Sequence, residues 1–181
     1  MGKVIITVQM SADASIGPDI GWFGGGEHEG AGEEEVRLAD AFLLGRKTYE
    51  NLHPIWLNTP GGFAERVNEM PKYVVSNTLG KDDELPWNAE LVTGDLVKRV
   101  RQLKEEHTGD LLVYGCGEFA FELVKNELVD EVHFWVHPVV WDENDKPFHR
   151  LGHVRMRTKD VRVFGNGVVF YNYEPVSVDP Q

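Results

Sequence analysis

"LLVYGCGEFAFELV", residues 111–124, decides the fold, because an apolar run, two glycines and a second apolar run of different period follow one another there. Leu111 to Tyr114 reads as a buried strand, and from Glu118 to Asn126 the residues Phe119, Leu123 and Val124 fall on one side of a helix. Between them, Gly115-Cys116-Gly117-Glu118-Phe119-Ala120 satisfies G-x-G-x-x-G/A, a turn that brings backbone N–H groups at a helix start close to a pyrophosphate. The same glycines can also serve only a tight strand-to-helix turn.

Position in the chain separates two kinds of dinucleotide turn. A doubly wound nucleotide domain places this turn after its first strand, with several βα units downstream. Here most of the chain precedes it, and only a strand and a hairpin follow. A second stretch has the same layout: "ADAFLLGRKTYENL", residues 39–52, is again strand, glycine and helix start. Gly45 permits close backbone approach, Thr48 offers a hydroxyl, and Arg46 and Lys47 place positive charge at a helix N-terminus that already favours anions. A third, Tyr73-Val74-Val75-Ser76 running into Asn77-Thr78, puts polar side chains at a strand's C-terminal end, where open α/β sheets bind ligands.

Working outward, short β-rich runs alternate with helical patterns, which predicts βα units around a largely parallel sheet. Strands are expected at residues 4–9, 41–44, 73–76, 91–93, 111–114 and 131–140, with helices over 95–107 and 118–126 and others starting near Thr48 and Phe63. Gly165-Asn166-Gly167 separates two β-prone runs, 161–164 and 168–171, and reads as a closing antiparallel hairpin. A chain of 181 residues with 41% hydrophobic residues can bury one sizeable core, and residues 1–181 are expected to form one domain.

Charge and cysteine usage exclude several classes. A net charge of −12 argues against general binding to nucleic acid or anionic membranes. One cysteine, Cys116, excludes an internal disulfide and a Cys-rich zinc site. With no signal-peptide pattern and no long apolar span, the chain is read as cytoplasmic.

The three turns carry a resemblance. "LLGRKTYE" resembles the Gly-Arg-Lys-Thr element of dihydrofolate reductases, "KYVVSNT" the strand and polar turn after it, and "LLVYGCGEFAFELV" their later glycine turn, in matching order. Over residues 3–174 the chain is more similar to the reductase domain of riboflavin biosynthesis (RibD C-terminal-like) as a stand-alone member, through "PKYVVSNTL", "GDLLVYGCGE" and "LVDEVHFWVHPVV". With one cysteine it cannot hold the zinc deaminase signature that the bifunctional riboflavin enzymes also carry.

The resemblance implies an α/β dihydrofolate reductase-like three-layer fold and an NADPH-dependent reductase acting on a small heterocyclic substrate, ribosylaminouracil-like or pterin-like. It implies that Gly45, Arg46, Lys47 and Thr48 hold the pyrophosphate side of NADPH, and that Ser76, Asn77 and Thr78 line the 2′-phosphate and adenosine end. Gly115, Cys116, Gly117, Glu118 and Phe119 would close over the diphosphate and nicotinamide ribose. Relatives are often homodimers, with the strand around Phe134, Trp135 and Val136 and the hairpin as contact. An NADPH-binding sensor without turnover is the alternative reading.

On the substrate side, relatives show Ser-Leu-Asp-Gly after the first strand, and here "MSADASIG" keeps Ser11 and Asp13 but not the Leu and Gly. Asp13 is expected either to orient or protonate the substrate or to serve only as a turn residue. Trp22 and Phe23 are read as stacking on a flat heterocycle or as packing, with Gly24 to Gly26 as a lid. Where dihydrofolate reductases embed a carboxylate in a helix, no such residue stands out here, and Glu33-Glu34-Glu35 reads as a solvated first helical turn. His133 and His137 share a strand face, but no third metal ligand is evident and no metal is assigned.

Overall fold

Strands that are apolar on both sides need cover on both faces, and that requirement sets the architecture. Leu43, Leu44, Leu111 and Leu112 have no exposed surface. The computed structural model describes residues 1–16, 26–80, 85–141, 148 and 151–178. In chain order the elements are β1 (Val4–Ser11), α1 (Glu27–Leu38), β2 (Ala39–Gly45), α2 (Arg46–Asn58), α3 (Gly62–Glu69), β3 (Lys72–Val75), β4 (Ala89–Val92), α4 (Leu96–Glu106), β5 (Asp110–Tyr114), α5 (Glu118–Lys125), β6 (Glu131–His137), β7 (Val154–Val163) and β8 (Val169–Val178).

The eight strands form one sheet in the order β4-β3-β2-β5-β1-β6-β8-β7. Strands β1 to β6 pair in parallel, and β8 enters antiparallel between β6 and β7. Val4, Ile6 and Val8 of β1 pack with α4 and α5 on one face; Ile5, Leu112 and Leu44 pack with residues of α1, α2 and α3 on the other. The result is the expected three-layer α/β fold with a mixed, mostly parallel sheet.

Boundaries differ from the expectation where local chemistry is weak. β6 stops at His137 and not at residue 140, because Pro138 has no N–H for the ladder. The hairpin strands are ten residues each, and β7 is an edge strand whose residues are exposed or half-buried, so its hydrophobic pattern is faint. At its turn Gly167 takes φ +85°, which favours glycine, and the N–H of Phe164 donates to the carbonyl of Val168 at 2.9 Å. α1 begins at Glu27, so Glu33 to Glu35 lie beyond its first turn.

Candidate active site

All three glycine or polar turns arrive at one edge of the sheet, the C-terminal ends of its parallel strands. There they border a cleft of about 390 Å³. Gly45, Arg46, Lys47, Thr48, Ser76, Asn77, Gly117, Glu118 and Phe119 line it. Thr78, Gly115 and Cys116 stand beside the lining. Val75, Val92, Gly94, Leu96, Tyr114 and Glu122 also line it without having been singled out in the sequence. Gly94 lies in the β4-to-α4 connection and Leu96 opens α4, a fourth strand-to-helix turn whose Thr93-Gly94-Asp95 is its visible signal.

The cleft is shaped by how closely the turns approach each other. A Cβ on Gly45 would stand 3.2 Å from the Phe119 ring, so the first turn of α5 packs directly on the β2-to-α2 turn. Gly115 takes φ +82°, and a Cβ there would meet Thr48 Oγ1 at 3.5 Å. A Cβ on Gly117 would meet nothing within 4 Å, which leaves that backbone open to the cleft.

Two helices start at this cleft without a side-chain cap. Gly45 and Gly117 are the N-cap residues of α2 and α5, and neither offers a capping oxygen. By contrast Asp95 caps α4, accepting from the N–H of Lys98 at 2.9 Å. Uncapped first-turn N–H groups and the positive end of the helix dipole favour an anion, by about 0.3–1 kcal/mol per exposed charge. The Arg46 guanidinium spans the gap to the neighbouring turn, donating from Nε to Glu50 at 2.6 Å and from Nη1 to Thr78 Oγ1 at 2.9 Å. Lys47 is exposed. The Ser76 hydroxyl is used in its own turn, accepting from the N–H groups of Thr78 and Leu79 at 3.1 and 3.2 Å.

Asp13 sits past the end of β1 and ties loops together. It accepts from the Ser11 hydroxyl at 2.5 Å, the Ser15 hydroxyl at 2.8 Å and the N–H of Trp141 at 3.1 Å. The Ser11 hydroxyl foremost, then the Trp141 N–H and the Ser15 hydroxyl, hold its carboxyl well below the usual carboxylate range. It is therefore an ionised clasp between the exits of β1 and β6. Trp22 and Phe23, with Gly24 and Gly25, lie outside the described residues.

The structure corrects the reading of Glu35 as solvated. Its side chain is 8% exposed, inserted from α1 against the sheet, where it accepts from the Thr7 hydroxyl at 3.0 Å and faces His133 Nδ1 at 2.5 Å. A helix-borne carboxylate turned in against the sheet is thus present after all. Glu33 and Glu34 are exposed as expected. His133 and His137 do share a face, but His133 lies between Glu35 and Glu131 while His137 Nε2 pairs with Gln9 Oε1 at 2.8 Å. Among the described residues no group of three His, Cys, Asp or Glu side chains could hold a metal ion.

With this geometry in view, residues 2–170 match the RibD C-terminal domain. The chain belongs to that family. The uncharacterized protein YwjB of Bacillus subtilis is 24% identical over 174 residues, spanning 92% of this chain and 94% of its own. Among solved structures, a Thermotoga maritima diaminohydroxyphosphoribosylaminopyrimidine deaminase/5-amino-6-(5-phosphoribosylamino)uracil reductase superposes with a TM-score of 0.70 at 16% identity; the match covers 97% of this chain and 57% of that one. A dihydrofolate reductase from Enterococcus faecalis, complexed with NADP(H), gives 0.63 at 13% identity, covering 97% and 98%. This RibD C-terminal-type chain therefore has a reductase-type fold. No helix among its described residues is long and apolar enough to cross a membrane.

Proposed function

We propose that the chain is an NADPH-dependent reductase that transfers a hydride to a small heterocyclic substrate. The observation that carries this reading is the pair of uncapped helix N-termini, α2 and α5, opening on one cleft beside Arg46 and Lys47. A dinucleotide diphosphate is the ligand class that uses two such anion sites a few ångströms apart, and it fits a cleft whose glycine backbone at 117 is unobstructed.

In this reading Gly45, Arg46, Lys47 and Thr48 hold the diphosphate side. Ser76, Asn77 and Thr78 border the 2′-phosphate and adenosine end, where Arg46 is already docked on Thr78. Gly115, Cys116, Gly117, Glu118 and Phe119 form the other wall. The bound nicotinamide supplies the hydride, and the protein supplies position and charge. Asp13 works by fixing the two loops at the ends of β1 and β6 and not by giving up a proton, since its carboxyl is ionised at neutral pH. Ribosylaminouracil-like and pterin-like acceptors both suit the family and the neighbours' chemistry. Of the expected homodimer contact, Trp135 is buried within the sheet while Val161 and Val163 of the hairpin are exposed, so two copies would meet along the edge strand, which sedimentation of the purified protein checks.

The test is a hydride-transfer assay. Purified protein with NADPH is offered 5-amino-6-(5-phosphoribosylamino)uracil and, separately, dihydrofolate, and nicotinamide absorbance is followed. Loss of absorbance with either acceptor supports the reading, and cofactor binding without any turnover contradicts it.

A further inference from the structure

The cleft carries charge of both signs. Arg46 and Lys47 stand at the start of α2, while Glu118 and Glu122 line the cleft from α5, one helical turn apart. Glu118 lies in the first turn of α5 and is already engaged. Glu122 makes no side-chain hydrogen bond or ion pair among the described residues, and Arg46 pairs with Glu50. Glu122 is five residues beyond the N-cap Gly117, about 7.5 Å along the axis at 1.5 Å per residue. That is past the first turn, to which the pull of the helix dipole on anions is confined.

Near Glu122 the cleft has an apolar floor. Val75 and Val92 are register partners at the ends of β3 and β4, Leu96 opens α4, and all three pack into the core shared by α4 and α5. Ser76 and Asn77 follow directly on Val75 and line the same cleft. A carboxylate can only accept hydrogen bonds, and it repels a polyanionic ligand unless a donor of that ligand reaches it. An apolar floor takes a ring of the ligand, so the donor that meets Glu122 is one carried on the edge of that ring.

We propose that Glu122 selects the base of the dinucleotide: with the purine seated on Val75, Val92 and Leu96, its carboxylate accepts from the exocyclic amine of adenine. The inference rests on the reductase reading above, which gives the Ser76 end of the cleft to adenosine, and adds the residue that reads the base. A 6-oxo purine presents a carbonyl oxygen at the same place, and two acceptors facing each other leave both without a partner.

The probe is deamino-NADPH, in which hypoxanthine replaces adenine and a carbonyl oxygen replaces the amine. NADPH and then deamino-NADPH are titrated into the parent protein and into Glu122→Ala, followed by nicotinamide fluorescence. Glu122 is exposed, so an unchanged thermal midpoint is expected of the variant. The parent should prefer NADPH by about tenfold or more, the scale of a hydrogen bond to a charged group, and the variant by less than about threefold. Equal affinity of the parent for the two cofactors overturns the proposal without recourse to the variant. A preference that survives in Glu122→Ala overturns it too, since another group then reads the amine. Failure of the parent to bind NADPH is a separate result, seen in the first titration, and overturns the reductase reading together with this one.

Discussion

Nδ1 of His133 on β6 lies 2.5 Å from Oε1 of Glu35 on α1, joining residues 98 apart in the chain. The contact belongs to a run of polar groups under α1: Trp135 Nε1 donates to the Thr7 hydroxyl at 3.1 Å, Thr7 to Glu35 at 3.0 Å, and the second His133 nitrogen faces Glu131 Oε2 at 3.2 Å. Lys3, Lys159 and Asn172 then hold Glu131 at 2.9, 2.7 and 2.6 Å. Residues of α1, β1, β6, β7 and β8 are pinned together by this run.

Glu35→Ala removes the acceptor in its middle and leaves Thr7 and His133 buried without that partner. Such loss costs about 2–4 kcal/mol. Urea denaturation checks it, and a change under about 0.5 kcal/mol, the level of an ordinary surface substitution, would show that the run contributes nothing.

Acid sensitivity should come in two steps. Burial, and then the neighbouring His28, lower the His137 pKa from 6.5 to about 4. The unfolded chain then binds a proton that the native state refuses, so this stability is complete above pH 6.5 and is lost as pH falls from there towards 4. Burial opposes the charge of Glu131, but hydrogen bonds from Lys159, Lys3, Asn172 and His133 outweigh it and bring its pKa to about 2. That contribution is present above pH 4.5 and lost as pH falls towards 2. His137→Gln should flatten only the upper window and Glu131→Gln only the lower one, read from denaturation midpoints at successive pH values.

Asp13→Asn separates a clasp from an acid. The clasp predicts unchanged NADPH affinity with faster amide exchange at Trp141, whose N–H donates to Asp13. An acid role predicts that the acid–base limb of the rate profile disappears while exchange at Trp141 stays as it was.

The parts of the fold legible in the sequence were those with local punctuation. Gly45 and Gly115 to Gly117 mark turns between apolar runs of differing period, and three such turns in order announce the ligand edge. α1 was harder to bound, because Gly30 and Gly32 weaken its propensity and of its residues only His28 and Val36 are buried. Glu35 was illegible for a related reason. Three consecutive glutamates are chemically equal, and only the rotation of α1 against β1 and β6 turns one of them inward. Tyr114 reads as one more strand residue until α2 supplies its apolar wall. β7 hid its length because an edge strand exposed on most of its residues has no alternation to read.

The most direct test of the central claim is a fluorescence titration of NADPH into the parent protein and Gly117→Val. A side chain at 117 meets nothing in the protein within 4 Å of its Cβ, so it enters the cleft without disturbing the fold. The account predicts saturable NADPH binding by the parent, weakened at least about tenfold, or 1.4 kcal/mol, in the variant at an unchanged thermal midpoint. No binding by the parent at millimolar NADPH, or equal binding by both proteins, would contradict it.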